Sequence, residues 1–219
     1  MTEARGSTVP VFPEGVGSDR PVVVFGGSFD PPHYGHLIIA QDLFTVLEPS
    51  AVLFVPASRA PHKTDRRQTE VNHRLAMTTL AIAGDPRFVL YRGEAERGGV
   101  SYTVDTVDAI RDAGCRDVFV AVGADNLPDI PTWKDWRRLS EIAKLVVMNR
   151  PGVEPKAPPS LQGRYSEIAV TAIGISSTVI RDRVRTGSPI RYLVPDAVAT
   201  YIFEHNLCLL YTSPSPRDS

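Results

Sequence analysis

The chain has 219 residues, 42% hydrophobic and 22% charged, the make-up of a protein that buries one sizeable core. Its 24 Lys and Arg nearly balance 25 Asp and Glu, so it lacks the whole-molecule field that holds proteins on nucleic acid or anionic membrane, and a small-molecule partner fits better. The two cysteines, Cys115 and Cys208, belong to no C-x-x-C or Cys/His cluster, and no run reaches the roughly 18 to 20 apolar residues of a spanning helix, which argues against a disulfide framework, a zinc module and a membrane anchor.

Residues 1–19 are rich in Gly, Pro, Ser and Thr without periodicity and lack the apolar core of a signal peptide, so they read as a flexible leader on a cytoplasmic protein. One folded domain is expected over 20–207, beginning in earnest at Pro21, with 208–219 a disordered tail or scar. Within the domain, VVVFGG (22–27), VLFVPA (52–57), RFVLY (87–91), DVFVAVG (117–123) and KLVVMNR (144–150) read as strands. HLIIAQDLFTVL (36–47), TEVNHRLAMTTLAIAG (69–84) and SYTVDTVDAIRDAG (101–114) carry helical patterns between them. Continuous apolar strands alternating with helices predict an α/β fold with a parallel sheet covered on both faces, and ligands at the carboxyl ends of its strands.

The first strand runs into Gly26-Gly27-Ser28-Phe29-Asp30-Pro31-Pro32-His33-Tyr34-Gly35-His36. Two residues without Cβ let a ligand approach the main chain, and the positive end of the following helix favours an anion there. His33 and His36, three apart on the first turn, would both face it, and a triphosphate is the natural candidate. A second anion pocket is predicted at Gly174-Ile175-Ser176-Ser177-Thr178-Val179-Ile180-Arg181, where Ser176 or Ser177 caps a helix and Thr178 and Arg181 add donors.

Between these motifs lie candidates for an acceptor site. Lys63, in Pro61-His62-Lys63, could reach a phosphate, with a solubilising surface charge as the plain alternative. Ser101-Tyr102-Thr103 opens a helix whose free N–H groups suit a carboxylate, or Ser101 is simply its cap. Asp125 follows a strand at the ligand edge and could accept from ribose hydroxyls. Trp133, in the proline-bounded loop Leu127-Pro128-Asp129-Ile130-Pro131-Thr132-Trp133-Lys134, offers a flat face for stacking, or plugs the core.

GGSFDPPHYGH resembles the (H/T)xGH signature of the nucleotidylyltransferase superfamily, and ISSTVIR its second ATP-binding signature. With PHK, SYTVDT, GADNLPDIPTWK and NRPG in the same order, residues 21–207 resemble the bacterial nicotinate mononucleotide adenylyltransferases. The resemblance implies a Rossmann-like doubly wound sheet with a small C-terminal helical portion. It implies an ATP site from Gly26, Gly27, Ser28, Phe29, His33, His36, Ile175, Ser176, Ser177, Thr178 and Arg181, with His33, His36 and Arg181 carrying catalysis. For the acceptor it implies Lys63, Tyr102, Thr103, Asp125, Trp133 and Lys134: Thr103 and the Lys134 main chain for a carboxylate, Trp133 for the pyridine ring. Ser28 stands where the family has Thr, and Asn126 where it often has a more hydrophobic residue.

The implied reaction joins ATP and nicotinic acid mononucleotide into deamido-NAD and pyrophosphate, a step of NAD biosynthesis, with Mg²⁺ entering on ATP rather than in a protein cage. Nicotinamide mononucleotide and phosphopantetheine are the alternative acceptors, and a catalytically silent ATP-binding regulator is the alternative class. No nucleic-acid or membrane partner is expected; a homo-oligomer is compatible with the sequence, which does not fix the assembly.

Overall fold

The computed structural model describes residues 12–58, 68–149 and 157–207; Lys63, Cys208 and the ends 1–11 and 208–219 lie outside the described residues. Six strands form one sheet: β1 (Val22–Gly27), β2 (Ala51–Pro56), β3 (Phe88–Leu90), β4 (Val118–Gly123), β5 (Lys144–Asn149) and β6 (Tyr165–Ala169). Their order is β3-β2-β1-β4-β5-β6, and every pairing is parallel. Growth of the sheet therefore reverses between β1 and β4, the switch at which a doubly wound fold leaves a crevice above its strand ends.

All six residues of β2 are buried, as expected of a strand covered on both faces. In β1 the side-chain alternation is explicit. Val22 and Val24 enter a core with Val107 and Ile110 of α4 (Thr103–Asp112) and Leu139 of α5 (Trp136–Ile142). Val23 and Phe25 enter another with Ala40 and Leu43 of α1 (Tyr34–Leu47) and Ile82 of α2 (Val71–Ile82). A third cluster packs Met77 and Ala81 of α2 against α6 (Ser177–Arg185) and α7 (Asp196–Glu204), the expected C-terminal helical portion. α6 thereby rests beside α1, which brings the two distant motifs to one place.

Several expectations are corrected. Residues 12–19 are not a free leader: Phe12 stacks on Tyr91 with ring centroids 6.2 Å apart, Val16 packs on the core, and the Gly17 N–H donates to Ser50 Oγ at 2.8 Å. β6 was not expected, because an edge strand with one buried residue, Ile168, shows no apolar run. The expected loop Leu127–Lys134 falls largely within a 3-10 helix, Ala124–Thr132, that holds Pro128 and Pro131 and buries Leu127 and Ile130. The short α3 (Gly93–Arg97) and α5 also lacked a legible period, having less than two turns each. Among the described residues no helix is long and apolar enough to cross a membrane.

Candidate active site

The turn after β1 and the first turn of α1 form one wall of a cleft of about 230 Å³, and the approach to α6 forms the other. His33, Gly35, His36 and Ile39 face Thr171, Ile173, Ile175, Ser176 and Ser177. His33 is the N-cap of α1, and on that turn the Tyr34 N–H donates to the Leu193 carbonyl at 3.1 Å and the His36 N–H to the His33 carbonyl at 2.9 Å. Its ring stacks on that of His36 with centroids 3.7 Å apart, and its N–H donates to His36 Nδ1 at 3.2 Å. That acceptor role leaves the His36 proton on Nε2, a donor for a ligand. A Cβ at Gly35 would lie 3.0 Å from the His33 ring, so only glycine passes beneath the imidazole without displacing it. At Gly26, by contrast, a Cβ would meet nothing within 4 Å, which leaves the main chain open to an incoming group.

Burial pushes the His33 pKa down to about 4, and burial together with the adjacent His33 holds His36 well below the ordinary imidazole range. Both rings are therefore neutral near pH 7. His33 Nδ1 is buried without a partner, a polar atom left over at the ligand face.

Ser176 caps α6, its Oγ accepting from the Val179 N–H at 3.3 Å. Ser177 Oγ donates to the Pro31 carbonyl at 2.9 Å, and Arg181 Nη1 to the Asp30 carbonyl at 2.7 Å. Arg181 Nη2 also reaches Thr178 Oγ1 at 3.1 Å. The second motif is thus fastened to the first across more than 140 residues of chain. Phe29 differs from its expected role in part: its side chain is 1% exposed and packs edge-on against His36 with centroids 4.9 Å apart, so only its main chain can reach a ligand. Ser28 Oγ accepts from Gln68 Nε2 at 3.3 Å.

The acceptor candidates within the described residues, Tyr102, Thr103, Asp125, Trp133 and Lys134, gather on the same edge of the sheet, and Lys63 lies outside those residues. Register sets Phe25 of β1 opposite Ala121 of β4, so the glycine turn and Gly123-Ala124-Asp125 leave the sheet side by side, with Asp125 exposed. Trp133, half-buried, ends the 3-10 segment, its N–H donating to Ile130 O at 2.9 Å. Lys134 Nζ pairs with Asp105 at 2.9 Å and lies 4.8 Å from the centroid of Tyr102, which ties this turn to the start of α4. Tyr102 is the N-cap of α4 and Thr103 its first residue. Ser101 is not the cap; its Oγ accepts from the Ser58 N–H at 2.9 Å and joins α4 to the turn after β2. A separate depression of about 620 Å³ lies beside β6, lined by Pro158, Gln162 and Tyr165, and contains none of the candidates.

Two groups escaped the sequence reading. Thr171 and Ile173 line the cleft from an irregular segment after β6 that carries no motif. Arg74, 1% exposed on α2, lies under the turns after β1 and β2. The signal for it was present, since Arg74 falls on the stripe of Met77, Thr78 and Ala81, where a charge cannot face water.

The cytidylyltransferase-like family model matches residues 24–183. A Roseiflexus sp. (strain RS-1) protein described as "Probable nicotinate-nucleotide adenylyltransferase" is 40% identical over 196 residues, 87% of this chain and 98% of that protein. A Thermus thermophilus protein with the same description is 45% identical over 185 residues, 84% and 97% of the two chains. In fold, the chain is similar to Plasmodium falciparum nicotinic acid mononucleotide adenylyltransferase complexed with NaAD, with a TM-score of 0.70 at 20% identity over 86% of this chain and 97% of that one. Such identity sustained over nearly the whole length of both partners leaves one assignment: the chain belongs to the cytidylyltransferase-like family and, within it, to the nicotinate-nucleotide adenylyltransferases.

Proposed function

We propose that this chain transfers the adenylyl group of ATP to the phosphate of nicotinic acid mononucleotide, forming deamido-NAD and releasing pyrophosphate. The observation that carries the donor half is the single cleft at which His33 and His36 meet the Ser176–Ser177 turn, with Arg181 braced against Asp30. The acceptor's phosphate monoester, with a second pKa of about 6, is already largely dianionic at neutral pH and needs no general base. Its oxygen attacks the α-phosphorus of ATP in line as the bond to the pyrophosphate oxygen breaks. The task left to the protein is positioning and cancellation of charge. His36 Nε2–H, a donor from His33, the open main chain at Gly26, Gly27 and Ser28, and Arg181 serve the phosphates in this reading.

Mg²⁺ would enter on the ATP phosphates and, when bound, neutralise charge on the departing pyrophosphate. Among the described residues no group of three or more His, Cys, Asp or Glu is placed to hold a metal, so this chain's donors would orient phosphates rather than the ion.

On the acceptor side, the free N–H groups at Thr103 and the main chain at Lys134 would hold the nicotinate carboxylate, with Trp133 against the ring and Asp125 at the ribose. Asp105 in the first turn of α4 would repel that carboxylate, and Lys134 Nζ on it removes the obstacle. Lys63 would serve the acceptor phosphate. The test is pyrophosphate release with ATP and Mg²⁺, comparing kcat/KM for nicotinic acid mononucleotide, nicotinamide mononucleotide and phosphopantetheine. The acid is expected to lead by about tenfold or more. Preference for the amide overturns the carboxylate assignment, and no release with any acceptor favours a silent ATP-binding regulator.

A further inference from the structure

Arg74 does not line the cleft, yet among the described residues it is the largest fully buried side chain. Its guanidinium spends its donors on three main-chain carbonyls: Nε on Thr69 at 2.9 Å, Nη1 on Ser28 at 2.9 Å and Nη2 on Ser58 at 3.1 Å. Ser28 belongs to the phosphate motif after β1, and Ser58 to the turn after β2. Two carboxylates favour its charge, Asp30 and Glu94. Each leads further. Asp30 Oδ2 accepts from the Thr69 N–H at 3.2 Å while its carbonyl receives Arg181. Glu94 Oε1 accepts from Thr106 Oγ1 of α4 at 2.7 Å, and Ser101, just before α4, accepts from the Ser58 N–H. A polar chain, buried at Asp30, Arg74, Glu94 and Thr106 and half-buried elsewhere, therefore runs from Arg181 on the donor side to the start of α4 on the acceptor side.

A charge this deep costs several kcal/mol to desolvate, and an apolar side chain of similar volume is often equally stabilising. A rigid planar fork, however, fixes three separate carbonyls in one set geometry, which the compact ammonium of a flexible lysine does not impose. Resting on the reading above, we propose that Arg74 is a positioning residue for adenylyl transfer, locking the donor-side turn at Ser28 to the acceptor-side turn at Ser58 so that the two substrates stand in line. It acts through the turns and contacts neither substrate.

Arg74→Lys keeps the charge but loses the fork. In the folded variant, kcat at saturating substrates falls about 100-fold while the Kd for ATP changes less than about threefold, because misalignment penalises the in-line step more than either binding event. Hydrogen exchange reads the lock without any acceptor: the amides of Ser58 and Thr69, which donate to Ser101 and Asp30, lose protection at least about tenfold, and those of β4 and β5 do not. Arg74→Met is the second variant should the lysine protein not fold. Unchanged kcat or unchanged exchange at these turns overturns the proposal, as does protection lost evenly over the sheet or failure of both variants to fold. Wild-type protein that releases no pyrophosphate sinks the proposed reaction instead, and the exchange comparison still decides whether Arg74 locks the turns.

Discussion

The proposed donor and acceptor halves of this site are held by different physics. On the donor side the imidazoles are buried and stacked, and the α6 turn is bolted to the α1 turn by Ser177 to Pro31 and Arg181 to Asp30, contacts made within the protein itself. On the acceptor side the link between Lys134 and Asp105 joins side chains that are 43% and 40% exposed, and Asp125 has no protein partner among the described contacts. In the proposed reaction, a preformed clamp would bind phosphate without an ordering penalty, whereas an exposed rim would adjust to the acceptor and discriminate by the contacts it gains.

The largest effect that would sharpen this contrast is in the clamp. His36→Ala is expected to lower kcat by about 100- to 1000-fold, the usual cost of losing a preorganised donor to a charged transition state, with a native circular dichroism spectrum. A loss below about tenfold would mean that His36 serves packing alone. Next, Trp133→Ala should raise KM for the acceptor by about tenfold while leaving that for ATP unchanged, as expected from one lost stacking contact. Equal rises in both constants would erase the division into halves.

Acid should also act on the clamp first. The unfolded state protonates its histidines near pH 6.5, but the His33 pKa in the fold is about 4 and that of His36 is lowered too. Between those values the unfolded chain binds more protons, so ligand-free stability declines as pH falls from about 6.5 toward 4. Urea midpoints at about pH 7.5 and 5 would show it, and His33→Gln should flatten part of the decline; an unaltered slope would place the acid sensitivity elsewhere. The smallest change is expected at the rim, where Lys134→Ala should cost under about 0.5 kcal/mol in urea unfolding, because an exposed ion pair is screened by solvent.

Local pattern made much of this legible. Five of the six strands read from continuous apolar runs because a sheet buried on both faces leaves no polar positions to interrupt them, as β2 shows. The helix starts at His33 and Ser176 read equally well, since an exposed helix terminus needs small or polar residues at fixed offsets. β6 did not read, because an edge strand obeys neither rule, and Phe12 and Val16 did not because their partners lie about 80 and 100 residues away.

By itself, then, the sequence determined the alternation of strand and helix and the two motifs proposed to hold phosphate, all of which are properties of short stretches with their own backbone chemistry. Tertiary structure alone decided that Arg181 reaches back to Asp30, that Ser101 braces Ser58 instead of capping α4, that Phe29 turns into the core, and that Arg74 lies beneath the site. Those outcomes depend on the order in which parallel strands add on either side of β1, and that order rests on contacts between residues far apart in the chain, which no local period encodes.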